Sequence, residues 1–264
     1  MRRAFVLAVV LATTGAAFAA NAGDACDAAR PAEEHRACLE AHVAKAGAAL
    51  DTMQARMKAR IALWDQEDPA RVRRALSMLI DRERLRPILD SCGYPVASSV
   101  LTPTTLHYLD CSTQLRHDPA TAQRLLEAAG ADGLRLDVVF NSSFSPVDAE
   151  LLSAVAEQWG HAGVDLVCRD VDFGELRMRQ QTGAYDFRFF YYTAIDPDGL
   201  RYQFGVDQRN VTCRPVRGRL DQLLDDQLHC PDPAERRKLV HDIQRLIIDD
   251  GLWLPIGNVR TVVS

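Results

Sequence analysis

Five residues at the end of an aromatic run could bind a small molecule. The run "YDFRFFYYT" ends with Tyr191, Tyr192 and Thr193, and the turn "IDPDG" that follows supplies Asp196 and Asp198. Tyrosine rings offer flat faces with a hydroxyl at one end, which suits the wall of a ligand pocket. A carboxylate that is held away from water can pair with a cationic group of a ligand. These five residues are therefore the candidate ligand-binding residues.

Each candidate also has an ordinary structural interpretation. Asp before Pro and Asp before Gly are common turn signals, so Asp196 and Asp198 could serve only to shape a turn. The two tyrosines and the threonine could equally form the packed, half-buried end of a strand. The sequence leaves both interpretations open.

Strand and helix signals alternate on the way to the candidates. Strands are predicted over 134–140, 164–171 and 185–192, with helices between them. This order predicts an α/β fold, in which a mostly parallel sheet is flanked by helices through right-handed crossovers. We expect the aromatic run to be a central strand. The candidates then lie just past its carboxyl end, where open α/β sheets bind ligands.

Prolines indicate where several helices begin or end. Asp118 before Pro119, and Asp232 before Pro233, each place an N-cap residue ahead of Pro at the first helical position. Helices are predicted to begin at both places. The amphipathic segment "RVRRALSMLIDRERLRPIL" predicts one helix that ends near Pro87.

Motifs of catalysis and of metal binding do not occur in the sequence. There is no HExxH, GxSxG, P-loop or GxGxxG motif, and the seven histidines are scattered. We therefore expect no enzyme activity, no metal and no cofactor. The formal net charge is −5, and this mild acidity argues against nucleic acid as a partner.

The chain begins with the features of a secretory signal peptide. Two arginines precede a short apolar run and a small-x-small cleavage site, all within residues 1–22. No later segment has eighteen uninterrupted apolar residues, so we expect no membrane insertion. The sequence thus predicts an exported, periplasmic protein from which the signal peptide has been cleaved.

Seven cysteines are available for oxidation in such a protein. The candidate pairs closest in the chain are Cys26 with Cys38, and Cys213 with Cys230. Cys168 lies inside an apolar strand, and we expect it to be a core residue without a disulfide.

Five segments, in this order, resemble successive landmarks of one known protein family. They are "RVRRALSMLIDRERL", "HDPATAQRLLEAAG", "LSAVAEQWGHAGVDLVCRDVDFGEL", "GAYDFRFFYYTAIDPDGLRYQF" and "DPAERRKLVHDIQRLIIDDGLWLPI". Together they resemble the family 5 extracellular solute-binding proteins of ABC transporters, the peptide- and nickel-binding group. The resemblance covers about residues 71–256.

The resemblance implies a secreted receptor that closes two lobes around a solute and delivers it to an ABC permease. It implies a binding protein and not an enzyme. Family members are longer, so this sequence resembles one lobe. Tight binding would then need a second lobe, a second copy or the permease. In the family's peptide binders, an aspartate after the aromatic strand pairs with the ligand's ammonium. Ala194 and Ile195 stand near that place here, and Asp196 and Asp198 follow slightly later.

A second resemblance concerns the segment before the first landmark. Its paired cysteines and helical repeat are similar to the small secreted helical domains of the LprI-like lysozyme-inhibitor family. The chain would then consist of a signal peptide (1–22), a helical segment (23–69) and a solute-binding lobe (70–264). Two other functions stay open. The chain could be a secreted lysozyme inhibitor or interaction protein, or a degenerate fragment without binding function.

Overall fold

The computed structural model describes most of the chain after residue 68. The described residues are 69–131, 133–145, 147–182, 184–189, 191, 196–208 and 217–258, together with seven positions between 33 and 44 that are helical. Contacts divide the chain into two units, Met1–Leu63 and Trp64–Ser264. The described residues 69–258 of the second unit are called the lobe below.

The lobe's described residues form eight helices and three strands. In chain order they are α1 (Pro69–Met78), α2 (Arg86–Ser91), α3 (Pro119–Ala128), β1 (Arg135–Phe140), α4 (Asp148–Gly160), β2 (Asp165–Asp170), α5 (Phe173–Thr182), β3 (Phe187–Arg188), α6 (Asp198–Phe204), α7 (Arg219–His229) and α8 (Pro233–Asp249). Strands and helices alternate from β1 to β3, as the sequence predicts.

The three strands form one parallel sheet in the order β2–β1–β3. Val138 of β1 lies opposite Cys168 of β2 and Phe187 of β3. Every residue of β1 after Arg135 is buried, as is typical of a parallel strand that is covered on both faces. Helix α4 packs against β2. Leu176 of α5 packs against Val139 of β1. The predicted α/β fold with a mostly parallel sheet is confirmed.

Strand β3 differs from the prediction of a central strand over 185–192. It contains Phe187 and Arg188 and lies at an edge of the described sheet. The Phe189 N–H donates to the Val139 carbonyl at 2.9 Å, so the pairing continues one residue further. The prediction was wrong because an aromatic run reports burial and not the number of neighbouring strands. Phe187 is covered by Trp159 of α4, with ring centroids 5.5 Å apart.

The single helix that was predicted to end near Pro87 is two helices. Helix α1 ends at Met78, and Pro87 lies in the first turn of α2. Proline is tolerated in the first turn because the N–H that it lacks has no partner within the helix there. The turn between the helices carries Arg82, a long polar side chain that points into the protein.

Arg82 joins three segments of the lobe through main-chain carbonyls. It is 6% exposed. It donates to the Pro255 oxygen at 2.7 Å and the Leu115 oxygen at 2.9 Å, and to the Ser77 and Ile80 oxygens at 3.3 Å. Burial lowers the pKa of Arg82 to about 10, so the guanidinium remains charged at neutral pH. The carbonyls take the place of the water that this charge would otherwise bind.

Two predicted helix starts are confirmed by their caps. The Asp118 carboxylate accepts a hydrogen bond from the Thr121 N–H at 3.0 Å at the start of α3. The Asp232 carboxylate accepts one from the Glu235 N–H at 2.7 Å at the start of α8. Each cap satisfies a backbone donor that the helix itself leaves without a partner.

A large apolar cluster lies where the last three helices meet the loop after α2. Its buried members are Val100, Leu101, Leu200, Phe204, Leu220, Leu224, Val240, Ile243 and Ile247. The Trp253 ring packs edge-on against Phe204, with centroids 5.8 Å apart. This cluster holds α6 beside α7 and α8, and so places the turn that contains two of the candidate residues.

The segment after α8 pairs with the loop after α2. Gly257 forms an antiparallel bridge with Val96, and the Ala97 N–H donates to the Ile256 carbonyl at 3.1 Å. This pairing links the loop after α2 to the far end of the lobe.

Gly251 packs directly against α1. It has a φ of 59°, a left-handed conformation that glycine adopts without steric cost. A Cβ atom added at this position would lie 2.5 Å from the Arg73 Cβ. Arg73 in turn donates to the Asp250 carbonyl at 2.7 Å. Helix α1 and the turn after α8 are therefore in close contact.

Two of the expectations about cysteine are wrong. Cys230 is a free thiol, so the pair with Cys213 is not formed. Cys168 is exposed and not a core residue. It lies two residues after Leu166 in β2, so both side chains point to the same face of the sheet, and the Cys168 thiol contacts the Leu152 carbonyl of α4 at 3.8 Å. Cys26 lies outside the described residues, and its pairing with Cys38 stays a prediction.

Candidate functional site

The three parallel strands end on the same side of the sheet. We call this side the strand-end edge, and it comprises residues 141–145, 170–173, 189 and 191 together with Asp148. In open α/β sheets, ligands bind at the carboxyl ends of the strands because the loops and helix starts that follow them converge there. The groups on this edge are therefore the first to consider as a site.

Polar side chains fasten the loop after β1 to the end of β2. The Asn141 amide donates to the Val171 carbonyl at 2.7 Å. The Ser142 N–H and hydroxyl donate to the Asp170 carboxylate at 3.0 and 2.6 Å. These bonds lower the pKa of Asp170. The loop is thus held in one position beside its neighbour, as a preorganised site requires.

Tyr191 and Asp148 form a hydrogen-bonded pair on this edge. Asp148 is the first residue of α4 and is 1% exposed. The half-buried Tyr191 donates its hydroxyl to the Asp148 carboxylate. Burial raises the pKa of Asp148, the bond from Tyr191 acts in the opposite direction, and the charge of Asp170 adds to the rise. Burial and the bond to Asp148 raise the pKa of Tyr191, so its hydroxyl keeps its proton at neutral pH.

Two further rings surround Tyr191. The Phe189 ring lies 6.0 Å away at an angle of 77°, and the Tyr94 ring lies 6.5 Å away at 67°. Both are edge-to-face contacts, the arrangement that the charge distribution of aromatic rings favours. Tyr191 is thus fixed by its neighbours at the end of β3.

Two large aromatic side chains on this edge face solvent. Phe144, in the loop after β1, is 59% exposed, and Phe173, the first residue of α5, is 62% exposed. Exposed apolar side chains that are grouped with polar ones are typical of surfaces that contact a ligand or a partner. The strand-end edge therefore combines rings, a hydroxyl and carboxylates.

Asp196 and Asp198 lie in a different network. The Asp196 carboxylate accepts from the Asp198 N–H at 2.8 Å and from Arg236 at 2.9 Å. Partial burial acts to raise the pKa of Asp196, but these hydrogen bonds outweigh it and lower the pKa overall. The Asp198 carboxylate accepts from Arg201 at 3.1 Å and from Gln227 at 3.2 Å. Both aspartates thus fasten the start of α6 to α7 and α8, and these contacts support the turn interpretation.

The three predicted site residues that the structure describes belong to two separate sets of contacts. Tyr191 contacts α4 and its neighbouring rings, whereas Asp196 and Asp198 contact α6, α7 and α8. Tyr192 and Thr193 lie outside the described residues. A ligand-binding role for all five stays a prediction.

Asp148 and Tyr94 are not among the residues that the sequence predicted for the site. Asp148 stands in "SPVDAELL", at the predicted start of a helix. Acidic residues are common in the first turn because they interact favourably with the helix dipole, so Asp148 gives no sign of a distant partner. Tyr94 belongs to a loop far from β3 in the chain. The signal that would have found both is spatial, because each lies next to Tyr191 only after folding.

A separate cavity of about 270 Å³ lies between the turn after α1, the start of α3 and the end of α4. Two of its polar groups already bond to each other, since the Asp81 N–H donates to the Gln158 side chain at 2.7 Å. The end of α4 leads into the start of β2, so this cavity lies away from the strand-end edge.

Within the part of the chain that the structure describes, no three His, Cys, Asp or Glu side chains are grouped so as to hold a metal ion. Among the same residues, no helix combines the length and hydrophobicity needed to span a bilayer.

Comparison with known proteins identifies relatives of the chain. Residues 4–210 match the family model described as bacterial extracellular solute-binding proteins, family 5 Middle. The matched range includes the segment 23–69, for which the sequence also suggested an LprI-like domain.

Two relatives come from Pseudomonas aeruginosa (strain UCBPP-PA14). Di/tripeptide-binding protein 4 is 28% identical over 202 residues, which is 66% of this chain and 36% of the relative. Probable di/tripeptide-binding protein 5 is 29% identical over 237 residues, which is 83% of this chain and 44% of the relative. The chain spans less than half the length of either relative.

A solved structure has the same fold. The ABC transporter substrate binding protein CtaP from Listeria monocytogenes superposes with a TM-score of 0.63 at 26% identity, covering 71% of this chain and 40% of that one. The parallel sheet, the helix order and the family match agree with one another. The chain belongs to the family 5 bacterial extracellular solute-binding proteins.

Proposed function

We propose that the chain is the solute-binding component, or one lobe of that component, of an ABC importer. The observation that carries this proposal is the strand-end edge, where Tyr191, bonded to the buried Asp148, lies among exposed rings in a member of a solute-binding family. Its task is to capture a solute reversibly and pass it to a permease, with no chemical step.

The solute that fits these groups is peptide-like or otherwise small and polar. Peptide N–H and ammonium groups are donors, and they match the carboxylates and the phenol oxygen on this side of the sheet. Apolar side chains of a peptide can pack on Phe144 and Phe173. Two relatives bear the name of di/tripeptide-binding proteins, which supports the same class.

We assign the wall of the site to Tyr191, Tyr192 and Thr193, and a second group of contacts to Asp196 and Asp198. The two aspartates are turn residues as well, and one carboxylate can fill both roles because it accepts several hydrogen bonds. Segment 1–22 is assigned as a cleaved signal peptide, which puts the mature chain in the periplasm.

A ligand on the strand-end edge is contacted from one side. Productive pockets usually bury most of their ligand, so tight binding needs a facing wall. We propose that this wall comes from a second lobe, from a second copy of the chain or from the permease. The lobe alone is then a weak binder.

Native mass spectrometry of the full chain, purified from periplasm without refolding, tests this function. We expect a co-purified small molecule or a dimer, and a mass that corresponds to cleavage near residue 22. A bare monomer that also gives no heat with any member of a di- and tripeptide library in calorimetry would refute the proposal.

A matched pair of variants tests where the solute binds. Phe144→Ser removes an exposed ring from the strand-end edge. Tyr202→Ser removes one from α6 that is similarly exposed, at 53%. We expect the first variant to weaken peptide binding about tenfold, equivalent to one lost aromatic contact, and the second to leave it unchanged. Equal effects would place the solute elsewhere.

A further inference from the structure

The Asp148 carboxylate is deeply buried beside groups that are open to solvent. It is 1% exposed, whereas Asp170, on the same edge, is exposed. Its side chain accepts a hydrogen bond from the Tyr191 hydroxyl. The titratable groups that face it are Tyr191, from the end of β3, and Asp170, from the end of β2. A solute at this edge can therefore touch Tyr191 but cannot reach Asp148 directly.

The direction of this bond determines what Tyr191 can offer to a solute. A phenol has one proton to donate and lone pairs that accept. An ionised carboxylate only accepts, so the proton of Tyr191 is committed to Asp148. The buried Ser145 hydroxyl acts on Tyr191 as a hydrogen-bond donor and acts to lower its pKa, so it occupies one lone pair of the Tyr191 oxygen. The other lone pair can accept from a solute. A hydrogen bond to a charged acceptor polarises the phenol and strengthens that capacity.

We propose that Asp148 is a positioning residue that makes Tyr191 a hydrogen-bond acceptor for the solute. Tyr191 then selects a donor group, namely an amide N–H or an ammonium, and disfavours a carboxylate or carbonyl oxygen at that point. This inference rests on the proposed function, because it requires the solute to lie at the strand-end edge.

The other carboxylates near this site do not fit this role. Asp170 accepts both bonds from Ser142. Asp196 accepts from a backbone N–H and from Arg236. The described hydrogen bonds of Asp170 and Asp196 thus hold the loop or turn next to each residue, and none of them is to Tyr191. Asp148 differs from both, because its described side-chain hydrogen bond is to Tyr191, a candidate ligand-binding residue.

Calorimetry on the full chain with trialanine tests the proposal through a double-mutant cycle. Tyr191→Phe removes the hydroxyl, and Asp148→Ala removes its acceptor. We expect each to weaken binding about 3- to 10-fold, the range of a single hydrogen bond. Asp148→Ala should have no further effect once Tyr191→Phe is present. Asp148→Asn, which keeps an acceptor oxygen, should recover most of the affinity.

Asp165→Asn is the matched control, since it removes one negative charge from an exposed residue at the opposite end of β2 from the strand-end edge. We expect it to change the affinity for trialanine by less than about twofold, because exposed charges are screened. If Asp148→Ala weakens binding equally in both Tyr191 backgrounds, Asp148 does not act through Tyr191 and the proposal is overturned.

Trialanine analogues that each lack one donor identify the contacting group. One carries a hydrogen atom in place of the amino group, and the others carry an ester in place of an amide. The analogue that lacks the contacting donor should bind wild type more weakly than trialanine, yet bind Tyr191→Phe as well as trialanine does. If no analogue distinguishes the two proteins, Tyr191 does not select a donor.

A readout without ligand separates this inference from the proposed function. In the full chain labelled with 3-fluorotyrosine, the Tyr191 resonance is identified by its absence from Tyr191→Phe. We expect the resonance to move in Asp148→Ala and to stay in place in Asp165→Asn. If the Tyr191 resonance does not move in Asp148→Ala, the proposal is overturned. If the resonance moves but the chain binds no trialanine, the hydrogen bond between Tyr191 and Asp148 is supported, and its role in selecting a solute is overturned.

Discussion

Replacing Arg82 by methionine is the most direct test of what holds the lobe together. Methionine fills a similar volume but donates no hydrogen bond. The carbonyls of Pro255 and Leu115, bonded at 2.7 and 2.9 Å, would lose their donor. A buried polar group left without a partner costs about 1–3 kcal/mol. The two carbonyls together therefore account for about 2–6 kcal/mol.

One effect acts in the opposite direction. The variant no longer buries a charge, and burial of that charge is what lowers the pKa of Arg82 to about 10. Removing a buried charge recovers part of the loss. We expect the free energy of unfolding to fall by about 3 kcal/mol for Arg82→Met. The free energy of unfolding of Arg82→Lys should lie between those of wild type and Arg82→Met, since an ammonium cannot donate in as many fixed directions as a guanidinium.

Urea unfolding followed by tryptophan fluorescence measures the change, because Trp159 and Trp253 lie in the lobe. Arg124→Met is the matched control, since Arg124 is exposed and bonds only to Thr121 of its own helix among the described residues. The control should stay within about 0.5 kcal/mol of wild type. A loss below about 1 kcal/mol for Arg82→Met would show that water or a small shift satisfies the carbonyls, and the reasoning would fail.

Two further predictions concern the ends and the turn of the lobe. Gly251→Ala should lower the free energy of unfolding by more than about 2 kcal/mol in urea, because a left-handed φ is combined with a Cβ only 2.5 Å from the Arg73 Cβ. Gly93→Ala, with a φ of 68° and nothing within 4 Å, should cost only about 1 kcal/mol, and equal costs would contradict the steric argument. The Asp196–Arg236 ion pair is partly exposed, so a double-mutant cycle should give a coupling of about 0.5 kcal/mol at pH 7. Because the folded pKa of Asp196 is lowered, this coupling should persist above the ordinary value of 3.8 and fade as pH falls below it; a coupling that rises in acid would argue against the assignment.

Local signals in the sequence were sufficient for the helix starts and for the parallel arrangement of the sheet. Asp-Pro pairs placed the starts of α3 and α8 correctly, because a cap is a bond between residues three apart. The alternation of strands and helices gave the parallel sheet, since parallel strands need a crossover connection. These features depend on neighbours in the chain, which a sequence displays directly.

The rest depended on contacts that the sequence does not display. Arg82 looked like one more charge on an amphipathic helix, but its partners are a loop and the end of the lobe. The Asp148 carboxylate and the Tyr191 hydroxyl are 43 residues apart in the chain. The edge position of β3 depends on which strands pair, and this is decided by the whole sheet. In each case the deciding partner is distant in sequence.

The bridge between Val96 and Gly257, and the contact of Gly251 with α1, have a consequence for how the lobe can be moved between proteins. The first helix of the lobe contacts the turn after its last helix, so a host needs only two neighbouring points of attachment to accept it. Domains with adjacent ends tolerate insertion into another chain and circular permutation, because neither operation disturbs the core. A short linker between the ends, with new termini opened in a surface turn such as the one at Gly130, would preserve the sheet and the contacts around Tyr191. The lobe is in this sense a modular unit whose attachment point and strand-end edge are separate parts of its surface.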